Sequence, residues 1–211
     1  MRHIPHLVLS PPWEGGSIGL SSEHWHHLTR VLRLSVGDPV SYTDGNGRTG
    51  EGELGDRVVV RGEERGVPKS SSLVVAVAPP ASRDRQRFLV EKLAELGVAR
   101  LHWLDTRHGG SRVPNISKLT SWVEAAVEQS RGAWLMEVGT DLVTWEQLEP
   151  PVVVCAPGGG GMPPRATTVV VGPEGGLAPD EIPNEVVLWD LGPTILRVET
   201  AALVAAARLL G

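Results

Sequence analysis

Three glycine-marked segments near the C-terminus hold the residues best suited to chemistry: 156–161 (APGGGG), 172–176 (GPEGG) and 191–197 (LGPTILR). Each follows a short apolar run, at 152–155, 168–171 and 186–189, of the length of a buried strand. In open parallel sheets, ligands bind beyond the carboxyl ends of the strands. Glycine at Gly172, Gly175 and Gly176 lets main-chain N–H and C=O groups reach a flat ligand with no Cβ in the way. Turns of this kind can hold an adenine by main-chain hydrogen bonds alone. GPEGG lacks the Lys-Ser/Thr that ends a phosphate-cradling loop, and it does not fit G-x-G-x-x-G. Triphosphate and dinucleotide ligands are therefore poorly supported. For APGGGG a plain tight turn is the competing reading. Arg197 closes the third segment and is one of three basic residues after position 135. Glu199 and Thr200 come next, and either could cap a following helix. Cys155, in the run VVVC, reads as a small buried residue rather than a nucleophile. His24, His26 and His27 have no cysteine or carboxylate cluster beside them, so no metal site is expected.

The elements that must position these segments follow from periodicity. Residues 73–78 (LVVAVA) form a continuous apolar run, as in a strand buried on both faces. A helix is predicted over 83–96, with Gly97 as its stop. A short strand at 101–104 and a helix at 115–130 follow, the latter with an apolar stripe at Ile116, Leu119, Val123, Ala126 and Val127. The chain closes with a helix over 200–210. Strands alternating with helices imply a parallel α/β sheet. The first ~70 residues read differently, as a small β-rich, barrel-like unit. Strand runs are predicted at 8–9, 17–20, 39–43, 49–54 and 57–61. Asp44-Gly45-Asn46-Gly47 is a hairpin signal, and a helix is predicted at 23–34 with Ser22 as N-cap. Residues 63–72, rich in charge, Gly, Pro and Ser, read as a linker. The N-terminal stretch lacks a signal-peptide pattern, and no apolar run approaches bilayer length, so a cytoplasmic protein is expected.

Charge is distributed unevenly. The net value of −5 argues against a chain coated for nucleic acid, but residues 81–135 carry nine basic and six acidic side chains. Residues 136–211 carry three basic and ten acidic ones. An RNA partner would touch the earlier segments and a few particular arginines. His27, Arg30 and Arg33, expected on one helix face, are phosphate-contact candidates, as are Arg107, Arg112 and Arg131.

Taken together, the motifs resemble a known family. VGPEGGLAPDEI (171–182) followed by LGPTILRVETAAL (191–203) is similar to the C-terminal signature of the RsmE family, the 16S ribosomal RNA (uracil-N3) methyltransferases of the SPOUT superfamily. EKLAELGV (91–98), Thr106-Arg107-His108, EAAVEQS (124–130), HHLTRVLRLSVGD (26–38) and DGNG (44–47) resemble further family segments, in order. The resemblance implies an α/β fold: a SPOUT domain with a C-terminal trefoil knot over 71–211, preceded by a PUA-like RNA-binding β-barrel over 1–70. It implies S-adenosyl-L-methionine held by Ala156, by Gly172, Pro173, Glu174, Gly175 and Gly176, and by Leu191, Gly192, Ile195, Leu196 and Arg197. It implies 16S rRNA of the small ribosomal subunit as substrate, and a homodimer. For the weakly acidic uridine N3–H, Arg197 is the expected stabiliser of the anion, Glu199 a candidate proton acceptor, and Thr200 their neighbour on the same turn. Glu174 is expected to bond main chain or a partner subunit. The chain departs from the family where Gln129-Ser130-Arg131-Gly132 replaces Gln-Ser-Gly-Arg, and Pro183 shortens the helix expected after GPEGG. A SPOUT enzyme with another RNA target, or a non-catalytic RNA-binding assembly factor, are the alternatives.

Overall fold

The computed structural model describes residues 4–211; the first three positions of the N-terminal stretch read above lie outside the described residues. The chain divides into two compact units, one containing the residues up to Lys69 plus Val127–Leu135, the other Ser70–Ala126 plus Met136–Gly211.

The first unit is a five-stranded mixed sheet in the order β1 (His6–Val8), β3 (Pro39–Thr43), β4 (Arg48–Leu54), β5 (Val58–Gly66), β2 (Ser17–Gly19). β1 and β3 are parallel and the other pairs antiparallel. Leu7, Leu9, Trp13, Ile18, Leu28, Val40, Tyr42, Leu54 and Val59 form its core. Buried His6 ties β1 to the end of the unit: Nε2–H donates to the Gly132 carbonyl (3.0 Å) and Nδ1 accepts from the Ser41 hydroxyl (2.9 Å). Across the sheet, Glu64 accepts from Arg61 (2.7 and 3.0 Å) and Tyr42 (3.0 Å) and pairs with Arg48 (2.5 Å). This cluster corrects the expected linker. β5 runs to Gly66 because its charged end pairs with β4, Glu64 opposite Gly50 and Gly66 opposite Arg48, and the expected linker shrinks to the residues after it. The N-terminal helix is also shorter than expected. α1 spans Ser22–His26 with Ser21, not Ser22, as its cap, accepting from His24 N at 3.0 Å. A π-helical turn, His27–Val31, follows, and Arg33 at φ 57° lies beyond it in the left-handed region. Arg33 therefore does not share a helical face with Arg30.

The second unit is built on a six-stranded, all-parallel sheet: β11 (Val187–Trp189), β9 (Val152–Gly160), β10 (Thr168–Val171), β6 (Val74–Val77), β7 (Arg100–Leu104), β8 (Glu137–Val143). The central strands β6 and β10 are buried at every position, as their unbroken apolar runs require. α2 (Arg83–Glu95) and α4 (Val198–Leu210) pack together, and α4 lies against β10 and β6. Gly97 at φ 78° ends α2 in the left-handed conformation that suits glycine. α3 (Ile116–Ser130) starts in this unit and its last residues belong to the first.

Three expectations are corrected here. β8 was not foreseen, because EVGTDLV alternates poorly and contains no apolar run. The APGGGG segment is not a turn. β9 continues through it to Gly160, which pairs with Trp189 after a register shift. After GPEGG there is no helix at all, only turns, although Leu177, Ile182 and Val186 still pack on the core around Val154 and Val170. Among the described residues no helix is long and apolar enough to cross a membrane.

Candidate functional site

The middle of β9, the carboxyl end of β10 and the residues that follow β10 and β11 enclose a cleft of about 720 Å³, a size typical of small-molecule sites. Its walls are Cys155, Ala156 and Pro157; Val171 to Leu177 with Ile182; and Asp190 to Val198, with Ala201 of α4. The register explains why the three segments meet. Val171 lies opposite both Cys155 of β9 and Val77, the last residue of β6, so GPEGG emerges beside the middle of β9 and the end of β6. All eleven residues expected to hold a cofactor line this one cleft: Ala156, Gly172, Pro173, Glu174, Gly175, Gly176, Leu191, Gly192, Ile195, Leu196 and Arg197. Cys155 lines it as well, and burial pushes its thiol up to about 12, leaving a protonated wall residue rather than a nucleophile.

Much of the lining is main chain. Gly176 (φ +75°) and Gly192 (φ +137°) take backbone conformations that L side chains rarely adopt, and a Cβ on either would meet no protein atom. The GPEGG turn is closed by Gly176 N donating to Pro173 O (2.9 Å). It is braced from the segment after β7. His108 Nδ1–H donates to the Gly176 carbonyl (3.2 Å), and the Arg107 amide donates to Glu181 (2.6 Å). Glu181 also receives the Ala178 amide (2.8 Å), and the two amides hold its carboxyl below the usual range. Arg107 forks onto Asp180 (2.7 and 3.0 Å). Both groups are exposed, so that pair contributes little to stability.

The expected catalytic residues divide. Arg197 is exposed at the cleft and forms the N-cap of α4 without a side-chain capping bond. Glu199 and Thr200 therefore lie inside the first turn of the helix, and neither caps it as expected. Neither lines the cleft. Thr200 is exposed, whereas Glu199 is buried, with Oε1 3.7 Å from Arg85 Nε and with Oε2 lacking a hydrogen-bond partner. The helix N-terminus favours its negative charge. Arg85, on α2, went unnoticed in the sequence. Its Nη1 donates to Glu174 Oε1 at 2.8 Å, so Glu174 bonds a guanidinium rather than main chain. The residues expected on RNA are all exposed but fall on both units. His27, Arg30, Arg33 and Arg131 belong to the first, Arg107 and Arg112 to the second. Arg131, at φ 58°, donates to the Ile4 carbonyl (2.5 Å). Among the described residues no group of three His, Cys, Asp or Glu could hold a metal ion.

Comparison with known proteins gives this cleft a context. The family model of the RNA methyltransferase domain matches residues 68–210, which include every segment of the cleft. The chain belongs to the RNA methyltransferase domain family. The ribosomal RNA small subunit methyltransferase E of Rickettsia conorii is 28% identical over 94% of this chain and 92% of its own length. Two solved structures share the fold. One, a probable rRNA-methyltransferase from Porphyromonas gingivalis, has a TM-score of 0.83 at 21% identity, covering 96% of this chain and 95% of that one. The other, a ribosomal RNA small subunit methyltransferase E from Neisseria gonorrhoeae bound to S-adenosyl methionine, has a TM-score of 0.81 at 22% identity, covering 98% and 96%.

Proposed function

We propose that the chain is an S-adenosylmethionine-dependent methyltransferase acting on N3 of a uridine in 16S ribosomal RNA. The observation that carries this reading is the glycine-lined cleft formed by β9, the end of β10 and the segments after β10 and β11, in a chain of the RNA methyltransferase family. The relatives support the target, since the full-length matches are named for small-subunit ribosomal RNA. The residues present fit the cofactor. The cleft offers main chain at Gly172, Gly176 and Gly192 for a flat base, and open space where a Cβ on Gly176 or Gly192 would stand. Ala156, Pro173, Glu174, Gly175, Leu191, Ile195, Leu196 and Arg197 complete the set that would hold it. The cofactor, when bound, supplies an activated methyl on a sulfonium centre.

What the protein adds is position and charge. N3 of uridine must lose its proton before or as it attacks. Arg197, at the rim and free of a capping bond, stabilises the negative charge that spreads onto the uracil. Glu199 does not line the cleft and so cannot take the N3 proton directly; beside Arg85 it braces the first turn of α4, which it shares with Thr200. The first unit binds RNA through His27, Arg30 and Arg33 of a PUA-like barrel over 1–70 and through Arg131, while Arg107 and Arg112 of 71–211 are RNA contacts of the second unit. A trefoil knot around the cleft, a homodimer and a cytoplasmic location belong to the same reading. Mapping base modifications in small-subunit rRNA from cells lacking the protein tests it. Loss of one N3-methyluridine is expected, and an unchanged map refutes the assignment. A calorimetric titration with S-adenosylmethionine separates enzyme from assembly factor, since no heat of binding would leave only the latter.

A further inference from the structure

Asp190 stands directly after β11 and makes three bonds that no motif announces. Its amide donates to Gly160 O at 2.9 Å. Its carboxylate Oδ2 accepts from Gly158 N at 2.8 Å, and Oδ1 accepts from Gly192 N at 2.8 Å. One short side chain thus fastens β9, at Gly158 next to the wall residue Pro157, to the segment that follows β11, which forms another wall of the cleft. The two amides, that of Gly192 first, hold the Asp190 carboxyl below the usual carboxylate range, so it is an anion at neutral pH.

The charges along the cleft are Glu174, Asp190 and Arg197. Glu174 is paired with Arg85 at 2.8 Å, and Arg197 is exposed. Asp190 is different: among the described residues its carboxylate meets only the Gly158 and Gly192 amides, with no cation beside it. Neutral dipoles hold the charge in place without cancelling it. An occupant of the cleft therefore sits beside an uncompensated anion whose field water screens but does not abolish.

We propose that Asp190 is a positioning and specificity residue that clasps two walls of the cofactor cleft and favours a cationic sulfonium occupant over the neutral thioether. The proposal rests on the S-adenosylmethionine reading above. Transfer of the methyl group leaves sulfur as a neutral thioether, so the same anion that helps to hold the cofactor gives nothing extra to the product. Discrimination of this kind would aid exchange of product for fresh cofactor.

The test uses S-adenosylmethionine and S-adenosylhomocysteine titrated calorimetrically into the full chain, as parent, Asp190→Asn and Asp190→Ala. Asp190→Asn keeps the shape and one acceptor but removes the charge. It is expected to weaken the sulfonium ligand more than the thioether, moving the ratio of the two dissociation constants by about three- to tenfold. Asp190→Ala removes both acceptors. It should weaken both ligands by roughly a further factor of ten and speed hydrogen exchange at the Gly158 and Gly192 amides. A purely structural role would weaken the two ligands alike and leave their ratio unmoved in Asp190→Asn, which overturns the specificity claim. Unchanged exchange at both amides in Asp190→Ala overturns the clasp. If the parent binds neither ligand, the cofactor reading itself fails and this proposal with it; if the parent binds both and the variants match it, only the role of Asp190 falls.

Discussion

Replacing Gly159 by alanine probes the least expected feature of the cleft, the continuation of β9 through the glycine run. A Cβ at Gly159 would lie 2.8 Å from the Leu188 carbonyl carbon, 2.8 Å from Trp189 N and 3.0 Å from Asp190 N. All three are backbone atoms, so no side chain can swing aside. Ordinary contact begins at 3.4 Å, so β11 must retreat by the difference, about 0.6 Å, which is overpacking of a kind that typically costs ~1–3 kcal/mol. The same retreat stretches the Asp190 N–Gly160 O bond from 2.9 Å to roughly 3.5 Å, where a hydrogen bond worth about 1 kcal/mol is largely lost. Alanine stiffens the unfolded chain and returns about 0.4–1 kcal/mol. The net expectation is a loss of about 1–3 kcal/mol, or a fall of roughly 3–10 °C in the melting temperature of the second unit. Cofactor affinity should fall about tenfold as the wall moves. Scanning calorimetry and a cofactor titration measure both. Gly161→Ala is the control, since a Cβ there would meet nothing within 4 Å. A Gly159→Ala protein as stable and as tight-binding as Gly161→Ala would refute the reasoning.

Three further perturbations separate the two units. Glu64 is held down to about 2, by Arg61 first and then Tyr42 and Arg48; a depressed carboxylate stabilises above its unfolded pKa, so this contribution is present above about pH 4.5 and lost as pH falls toward 2. Glu64→Gln should therefore cost about 1–3 kcal/mol at neutral pH and flatten the acid limb of a melting-versus-pH series, whereas an acid limb identical to the parent's would remove Glu64 from the account. Burial lowers the pKa of His6, so its neutral form stabilises fully above about pH 6.5 and the contribution fades as pH drops below that value; His6→Gln should erase that step in urea midpoints measured from pH 7.5 to 5. Arg197→Ala should lower the methylation rate by about 10²–10³ with a much smaller change in cofactor affinity, and equal losses in both would make Arg197 a binding residue only.

How far the sequence could be read depended on whether the information was local. The unbroken runs at 74–77 and 168–171 announced strands buried on both faces, and the glycines after them announced turns open to a ligand. Those signals needed no knowledge of partners, and all eleven expected cofactor residues came to one cleft. What was missed depends on distant partners. Arg85 meets Glu174 from 89 positions away, and Asp190 meets Gly158 from 32 positions away. Neither belongs to a pattern that spacing reveals. β8 is an edge strand with a single neighbour, β7, so it carries no two-faced apolar run. The polar end of β5 looked like a linker because the guanidiniums that neutralise Glu64 come from another strand, at Arg48 of β4, or from across a bulge in β5, at Arg61. The Ser21–Ser22 ambiguity was a matter of one residue, decided by which hydroxyl reaches His24 N.

The glycines of the site then fall into two physical classes, which a motif alone cannot distinguish. At Gly159 the constraint is steric, because backbone of β11 occupies the place of a side chain. At Gly176 and Gly192 the constraint is conformational, because the space is empty but the backbone is left-handed. The first class should tolerate no L residue whatever its size. Within the second, Gly176 at φ +75° should tolerate asparagine, which visits the left-handed helical region at modest cost, unless its side chain occupies the volume a ligand needs, whereas Gly192 at φ +137° lies beyond that helical region and should tolerate no L residue. Gly176→Asn therefore makes a direct probe of occupancy. If the cleft binds a cofactor against this turn, Gly176→Asn will melt close to the parent yet bind the cofactor poorly, a split that a purely structural turn cannot produce.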